Sequence, residues 1–151
     1  MKKQDLWLLV LMLMPLGGAF GQKRAFMIED LYRVKGVSDI RISPDGRSVM
    51  YTLTISDLPR AKRVSHIWAM DIDGRNPRQI TQSEKGESSA RFSPDGGTIV
   101  FVSAREGSAN LYLMPVGGGE ARRLTNISTG VSDPLWSPDG KSVAFATDVY
   151  P

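Results

Sequence analysis

Ser43-Pro44-Asp45-Gly46, Ser93-Pro94-Asp95-Gly96 and Ser137-Pro138-Asp139-Gly140 are three copies of one tetrapeptide, spaced 50 and 44 residues apart and preceded by Ile42, Phe92 and Trp136. Proline fixes φ at the first corner of a tight turn, and Asp and Gly tolerate the second, so each copy predicts a hairpin turn. Strand-like runs follow at 48–54, 98–103 and 142–147. A second hairpin follows the first two copies: Ile67 to Met70, the turn Asp71-Ile72-Asp73-Gly74-Arg75-Asn76, then Arg78 to Thr81; and Leu111 to Met114, the turn Gly117-Gly118-Gly119, then Arg122 to Thr125. Four strands per repeat result, at a period that signals a repeat architecture.

The runs 99–102 and 143–146 are apolar on both faces. A half-solvated antiparallel sheet alternates, so these read as sheets covered on both sides. Four-stranded antiparallel units, each covered by its neighbours, are the blades of a β-propeller. A single β-sandwich would not need the same turn at the same point of each unit. The predicted fold is therefore all-β, an incomplete β-propeller of about two and a half blades after a signal peptide and a short helix.

Lys2 and Lys3 precede the apolar run Leu6 to Met14, which Pro15, Gly17 and Gly18 interrupt before Ala19-Phe20-Gly21. Charged, apolar and small-residue regions in that order predict a secretory signal peptide over 1–21, with export to the periplasm or medium; the run is too short for a membrane span. Residues 22–36 read as a short helical lead-in, with Ile28, Leu31, Tyr32 and Val34 on one side and Gly36 ending it. The partial propeller fills 37–151, with blades at about 37–83, 84–127 and 128–151. Roughly 180 residues make the smallest closed ring of four blades. The 130 residues after the signal hold two full blades and half a third, so the expectation is the amino-terminal piece of a longer protein. An open array leaves a sheet edge and apolar faces in water.

The composition, 41% hydrophobic and 23% charged, is that of a globular chain. The absence of Cys removes disulfides, thiol nucleophiles and Cys-ligated zinc. After signal removal the net charge is +2, with 17 basic and 15 acidic side chains, and no basic cluster with interleaved aromatics supports nucleic-acid binding. Arg122-Arg123 reads as a solvated face.

Candidate chemistry is sparse, and no catalytic, cofactor-binding or metal-ligating residue is assigned. Gly-x-Ser-x-Gly, which a strand-to-helix nucleophile turn requires, does not occur. Its nearest fragments begin at Gly36, Gly86 and Gly130, around Ser38, Ser88 and Ser132. His66, the single histidine, reads as packing beside Ile67 and Trp68. Asp71, Asp73 and Asn76 faintly suggest a calcium loop, but the third acid and the distal Glu are missing and a turn accounts for them. Gly117-Gly118-Gly119 lacks the Lys and helix of a phosphate cradle. Asn126-Ile127-Ser128 matches a glycosylation acceptor. Asp45, Asp95 and Asp139 read as turn formers.

Glu29-Asp30-Leu31, Val37-Ser38-Asp39 and Ile42-Ser43-Pro44-Asp45-Gly46 resemble the opening of secreted bacterial peptidases of the prolyl oligopeptidase family, in the dipeptidyl-peptidase and acylaminoacyl-peptidase branches. The resemblance covers residues 27–151. It implies a seven- or eight-bladed propeller that covers a carboxy-terminal α/β-hydrolase domain and admits short peptides. That family's catalytic Ser, Asp and His lie in the hydrolase domain, and none maps onto this chain. Residues 67–81 also resemble the repeats of TolB-like periplasmic propellers, which are binding modules without catalysis. TolB carries a sizeable α/β domain before its first blade, whereas about 20 residues intervene here. A stand-alone secreted propeller with a structural role is the third reading. The partners implied are a peptide substrate or a protein.

Overall fold

The computed structural model describes residues 25–149; the predicted signal peptide lies outside them. Helix α1 (Ile28–Arg33) opens the described chain. The Met27 N–H donates to Asp30 Oδ2 at 2.9 Å, satisfying one free donor of the first turn. The helix stops at Arg33 because Val34 is already extended, so Gly36 starts the next strand instead of capping the helix. Its apolar side chains touch little: Ile28 and Leu31 are 68% and 58% exposed. Among the described residues no helix is long and apolar enough to cross a membrane.

Three antiparallel sheets follow. The first runs in the order β1 (Gly36–Ile42), β2 (Ser48–Asp57), β3 (Lys62–Asp71), β4 (Arg78–Gln79). The second repeats it with β5 (Glu87–Phe92), β6 (Thr98–Ser103), β7 (Asn110–Pro115), β8 (Arg122–Arg123). The third pairs β9 (Ser132–Trp136) with β10 (Val143–Ala146). The outer strands are shorter than the sequence suggests because a side chain replaces the ladder. Thr81 Oγ1 accepts from the Ile67 N–H at 3.0 Å, and Thr125 Oγ1 from the Leu111 N–H at 2.9 Å.

Each Ser-Pro-Asp-Gly joins the first two strands of its sheet. Ser43 Oγ donates to Asp45 Oδ1 at 2.6 Å and accepts from the Ser48 N–H at 2.9 Å, while the Arg47 N–H donates to the same carboxylate oxygen at 3.1 Å. The same bonds recur around Asp95 and Asp139. Gly46, Gly96 and Gly140 take φ of 70°, 73° and 69°, which only glycine adopts cheaply. The serine hydroxyl first, then the backbone N–H, hold all three carboxyls below the ordinary 3.8. Because the folded values are depressed, whatever stability they add is present above about pH 3.9 and is lost as pH falls through the folded values. Carboxyl carbon NMR titration of the folded chain is expected to place all three midpoints below that of a free aspartate; midpoints at or above it would contradict the hydrogen-bonded turn.

Neighbouring sheets meet face to face, with the first strand of each laid across the preceding sheet: β5 packs on β1, β2 and β3, and β9 on β5 and β6. Strand alternation then divides β6. Ile99 and Phe101 join Met50, Ile67, Ala90, Tyr112 and Met114 in the seam with the first sheet, whereas Val100 and Val102 join Leu111, Val131, Trp136 and Val143 in the seam with the third. The expectation of sheets covered on both sides holds for β6, where Ile99, Val100 and Phe101 are at most 1% exposed. It does not hold for β10, whose burial ends at half-buried Val143 because no described sheet lies beyond it.

Two further devices repeat at the seams. Each first strand bulges four residues before its turn serine, at Asp39, Ser89 and Asp133, with φ of 48°, 54° and 50°. Successive turns also stack: a Cβ built on Gly96 would lie 3.6 Å from Pro44 Cδ, and one on Gly140 would lie 3.5 Å from Pro94 Cδ.

The unequal spacing of the turns has one cause. β2 and β3 have 10 residues each where β6 and β7 have 6, while the connecting loop shortens from 104–109 to 58–61. The first sheet therefore carries a longer second hairpin, and the rest of the repeat keeps its length.

Candidate functional site

The first seam is closed, at the end opposite the Ser-Pro-Asp-Gly turns, by a buried carboxylate. Glu87 opens β5 with its side chain wholly inaccessible. His66 Nδ1, on β3, donates to its Oε2 at 3.0 Å. Arg105 Nη2, from the loop after β6, and the Ser83 N–H, from the link between sheets, donate to Oε1, each at 3.0 Å. Burying a carboxylate is costly unless it is paired and hydrogen-bonded, and these three donors meet that need. The guanidinium is fixed in turn by two rings, its Cζ 4.7 Å from the Tyr112 centroid and 5.5 Å from that of Phe101. Both carboxylate oxygens are engaged, so the cluster acts as a clamp between sheets.

The long hairpin stands beside this clamp. Between it and the link lies a groove of about 550 Å³, lined by Ile55, Val64, His66 and Ser83 with Asp57, Arg60, Lys62 and Glu84 charged around it. Charges of both signs around an apolar strip suit an extended polar chain better than one anion or cation. On the inner strands, Arg91 Nη1 bonds Asp39 Oδ2 at 2.7 Å across the first seam, and Asp39 Oδ1 holds Arg41 at 2.8 Å. A second groove, about 330 Å³, crosses all three first strands near Arg41, Arg91, Phe92, Leu135 and Trp136.

Residues singled out in the sequence fall as follows. His66 packs in the first seam, and it also donates to Glu87. Asp71 and Asp73 diverge: Asp71 Oδ2 accepts from Asn76 Nδ2 at 2.7 Å, and Asp73 Oδ2 from Arg75 Nε at 2.7 Å. Gly118 closes its turn onto the Pro115 carbonyl. Arg122 is exposed, but Arg123 bonds Glu106 at 3.1 Å and Asn126 Oδ1 at 2.8 Å, so only half of that pair is a solvated face. Ser38, Ser88 and Ser132 each sit on a first strand just before its bulge. Glu87 and Arg105 were not singled out in the sequence, although a signal exists. Six residues before the turn serine the other copies have Val37 and Val131, so an acid there breaks the repeat.

Four-stranded antiparallel sheets that repeat a turn, a bulge and a face-to-face seam define a β-propeller-type repeat protein. Residues 33–149 match PD40, the TolB beta propeller domain, and the chain belongs to that family. It is 35% identical over 75 residues to dipeptidyl-peptidase 5 of Porphyromonas gingivalis, which covers 50% of this chain and 11% of that protein. It is 39% identical over 92 residues to the uncharacterized peptidase YuxL of Bacillus subtilis, covering 60% of this chain and 14% of that protein. Among solved structures, a TolB from Agrobacterium tumefaciens superposes with a TM-score of 0.60 at 32% identity, over 73% of this chain and 39% of that one. The chain thus spans a small part of each relative, and its domain is one that peptidases and TolB share.

Proposed function

We propose that this chain is the amino-terminal propeller portion of an exported serine peptidase, contributing a wall that binds and gates short peptides, while the catalytic Ser, Asp and His reside in a hydrolase domain outside these residues. The observation that carries the reading is the pair of peptidase relatives matched at 35% and 39% identity over 11% and 14% of their lengths. The mixed-charge groove beside the long hairpin supports it, since it offers pairing for peptide termini and side chains of either sign. The purified chain is expected to leave aminoacyl and dipeptidyl chromogenic substrates uncleaved, and turnover by it would overturn the assignment of chemistry elsewhere. The discriminating experiment is to sequence the coding DNA past Pro151. A continuing frame with Gly-x-Ser-x-Gly several hundred codons on is expected.

The alternative is a TolB-like periplasmic propeller, a non-catalytic protein-binding module, favoured by the 32% identity to the A. tumefaciens TolB. A frame that closes after its last blade, with no nucleophile motif, selects that reading.

A further inference from the structure

One carboxylate on the inner strands holds two guanidiniums. Asp39 Oδ2 accepts from Arg91 Nη1 at 2.7 Å, and Asp39 Oδ1 pairs with Arg41 Nη2 at 2.8 Å. A single arginine would neutralise that acid and tie the first seam, so the second leaves one positive charge over. The side chains of Asp39 and Arg91 are each only 20% exposed, and a surplus charge held partly out of water attracts an anion more strongly than one on an open surface. Arg91 also keeps donors to give. Its Nη1 is taken by Asp39 and by the Ala90 carbonyl at 2.8 Å, whereas Nε and Nη2 have no partner among the described residues. That edge of a guanidinium presents two parallel N–H groups, the geometry a planar carboxylate matches.

Both guanidiniums line the groove of about 330 Å³ that crosses the three first strands, and no acid does. The turn acids Asp45, Asp95 and Asp139 lie outside the lining, each bonded to its own turn serine. The aromatic wall comes from Phe92 and Trp136, which precede their turns. The indole is fixed, its Nε1–H donating to the Arg91 carbonyl at 3.2 Å, so the wall stands preformed beside the cations. A groove this small suits the end of a chain better than its middle. It lies at the Ser-Pro-Asp-Gly end of the sheets, away from the mixed-charge groove beside the long hairpin.

We infer that this groove is a carboxylate subsite for the free carboxy-terminal end of a short peptide whose last side chain is apolar. The carboxylate sits on the Nε and Nη2 edge of Arg91 beside Arg41, and the side chain lies against Phe92 and Trp136. Only the peptide nature of the ligand rests on the function proposed above; a planar anion with an apolar group attached follows from the groove itself.

Isothermal titration calorimetry of the purified chain compares three probes: Ala-Ala-Phe, its carboxy-terminal amide, and N-acetyl-Ala-Ala-Phe. The acid and the acetylated acid are expected to bind equally, with a Kd of about 1 mM or tighter, and the amide at least about tenfold more weakly, the factor for losing a charged hydrogen bond. Arg41→Gln removes the surplus charge, and Arg91→Lys keeps its charge but loses the paired donors. Each is expected to cut the preference for acid over amide below about threefold. Arg91 also ties the seam, so circular dichroism accompanies its variant; if that variant unfolds, Arg41→Gln, at a side chain 44% exposed, decides alone. Equal binding of acid and amide overturns the inference, as does binding of neither or a preference that outlasts Arg41→Gln. Displacement of the peptide by inorganic phosphate at equal concentration also overturns it, because the groove would then be a general anion site. A coding frame without Gly-x-Ser-x-Gly removes the peptidase and leaves a measured acid preference standing. Equal binding in a chain whose frame carries that motif does the reverse.

Discussion

Glu87→Ala is expected to destabilise the chain by about 3 kcal/mol, read as a shift in the urea midpoint followed by tryptophan fluorescence. The size follows from what is left behind. Removing one member of a buried ion pair costs about 3–5 kcal/mol when the partner charge stays buried, and each orphaned donor adds about 1–3 kcal/mol. Here Arg105 is 26% exposed along its side chain and His66 17%, so both regain some water and the low end of the range applies. The cation also keeps its stack on Tyr112, which moderates the loss. Glu87→Gln preserves an oxygen for the Ser83 N–H and one guanidinium bond, and is expected to cost about half as much. An alanine variant within about 1 kcal/mol of wild type would show that the carboxylate is not what ties the sheets together.

Gly86→Ala comes next in size, at about 3 kcal/mol, through a different mechanism. Gly86 has φ of +78°, and a Cβ there would stand 2.9 Å from the Ser65 carbonyl oxygen and 3.3 Å from its nitrogen. The left-handed conformation alone costs an alanine about 1–2 kcal/mol. The obstacle is β3 backbone, which cannot rotate away, and overpacking of that kind adds roughly 1–3 kcal/mol. Gly46→Ala separates the two contributions: φ is +70° and nothing lies within 4 Å, so about 1 kcal/mol is expected. Equal losses at the two positions, measured by the same denaturation, would mean that the approach of the link to Ser65 is not tight.

The two variants test adjacent residues in a place the sequence barely marks. The Ser-Pro-Asp-Gly turns were legible because their chemistry is local: hydroxyl, carboxylate and glycine act within five residues, and the period announces the sheets. The propeller followed from that, as did the second hairpins. The clamp was not legible in the same way. His66, 21 residues from Glu87, meets it only because β5 crosses the face of β3, and Arg105, 18 residues on, because β5 pairs with β6 and sets Glu87 opposite Ser103. The local trace was an acid where other copies have valine, visible only if the repeats are aligned residue by residue. The bulges have a similar status: Asp39, Ser89 and Asp133 occupy one repeat position, but Ser89 gives no composition cue for a left-handed backbone. Spacings of 50 and 44 announce an insertion, and only the strand pairing places it in the β2–β3 hairpin.

That insertion adds four residues to each of two paired strands. Four is an even number, so inward and outward side chains keep their alternation to the tip and the pairing from Ser48 with Asp71 to Asp57 with Lys62 runs without a slip. Ornament of this sort is modular: a strand pair can lengthen by twos, as a zipper gains teeth, while the joints with adjoining units stay as they were. A lineage of such arrays can thereby diversify its rim one tooth-pair at a time and leave its hub untouched.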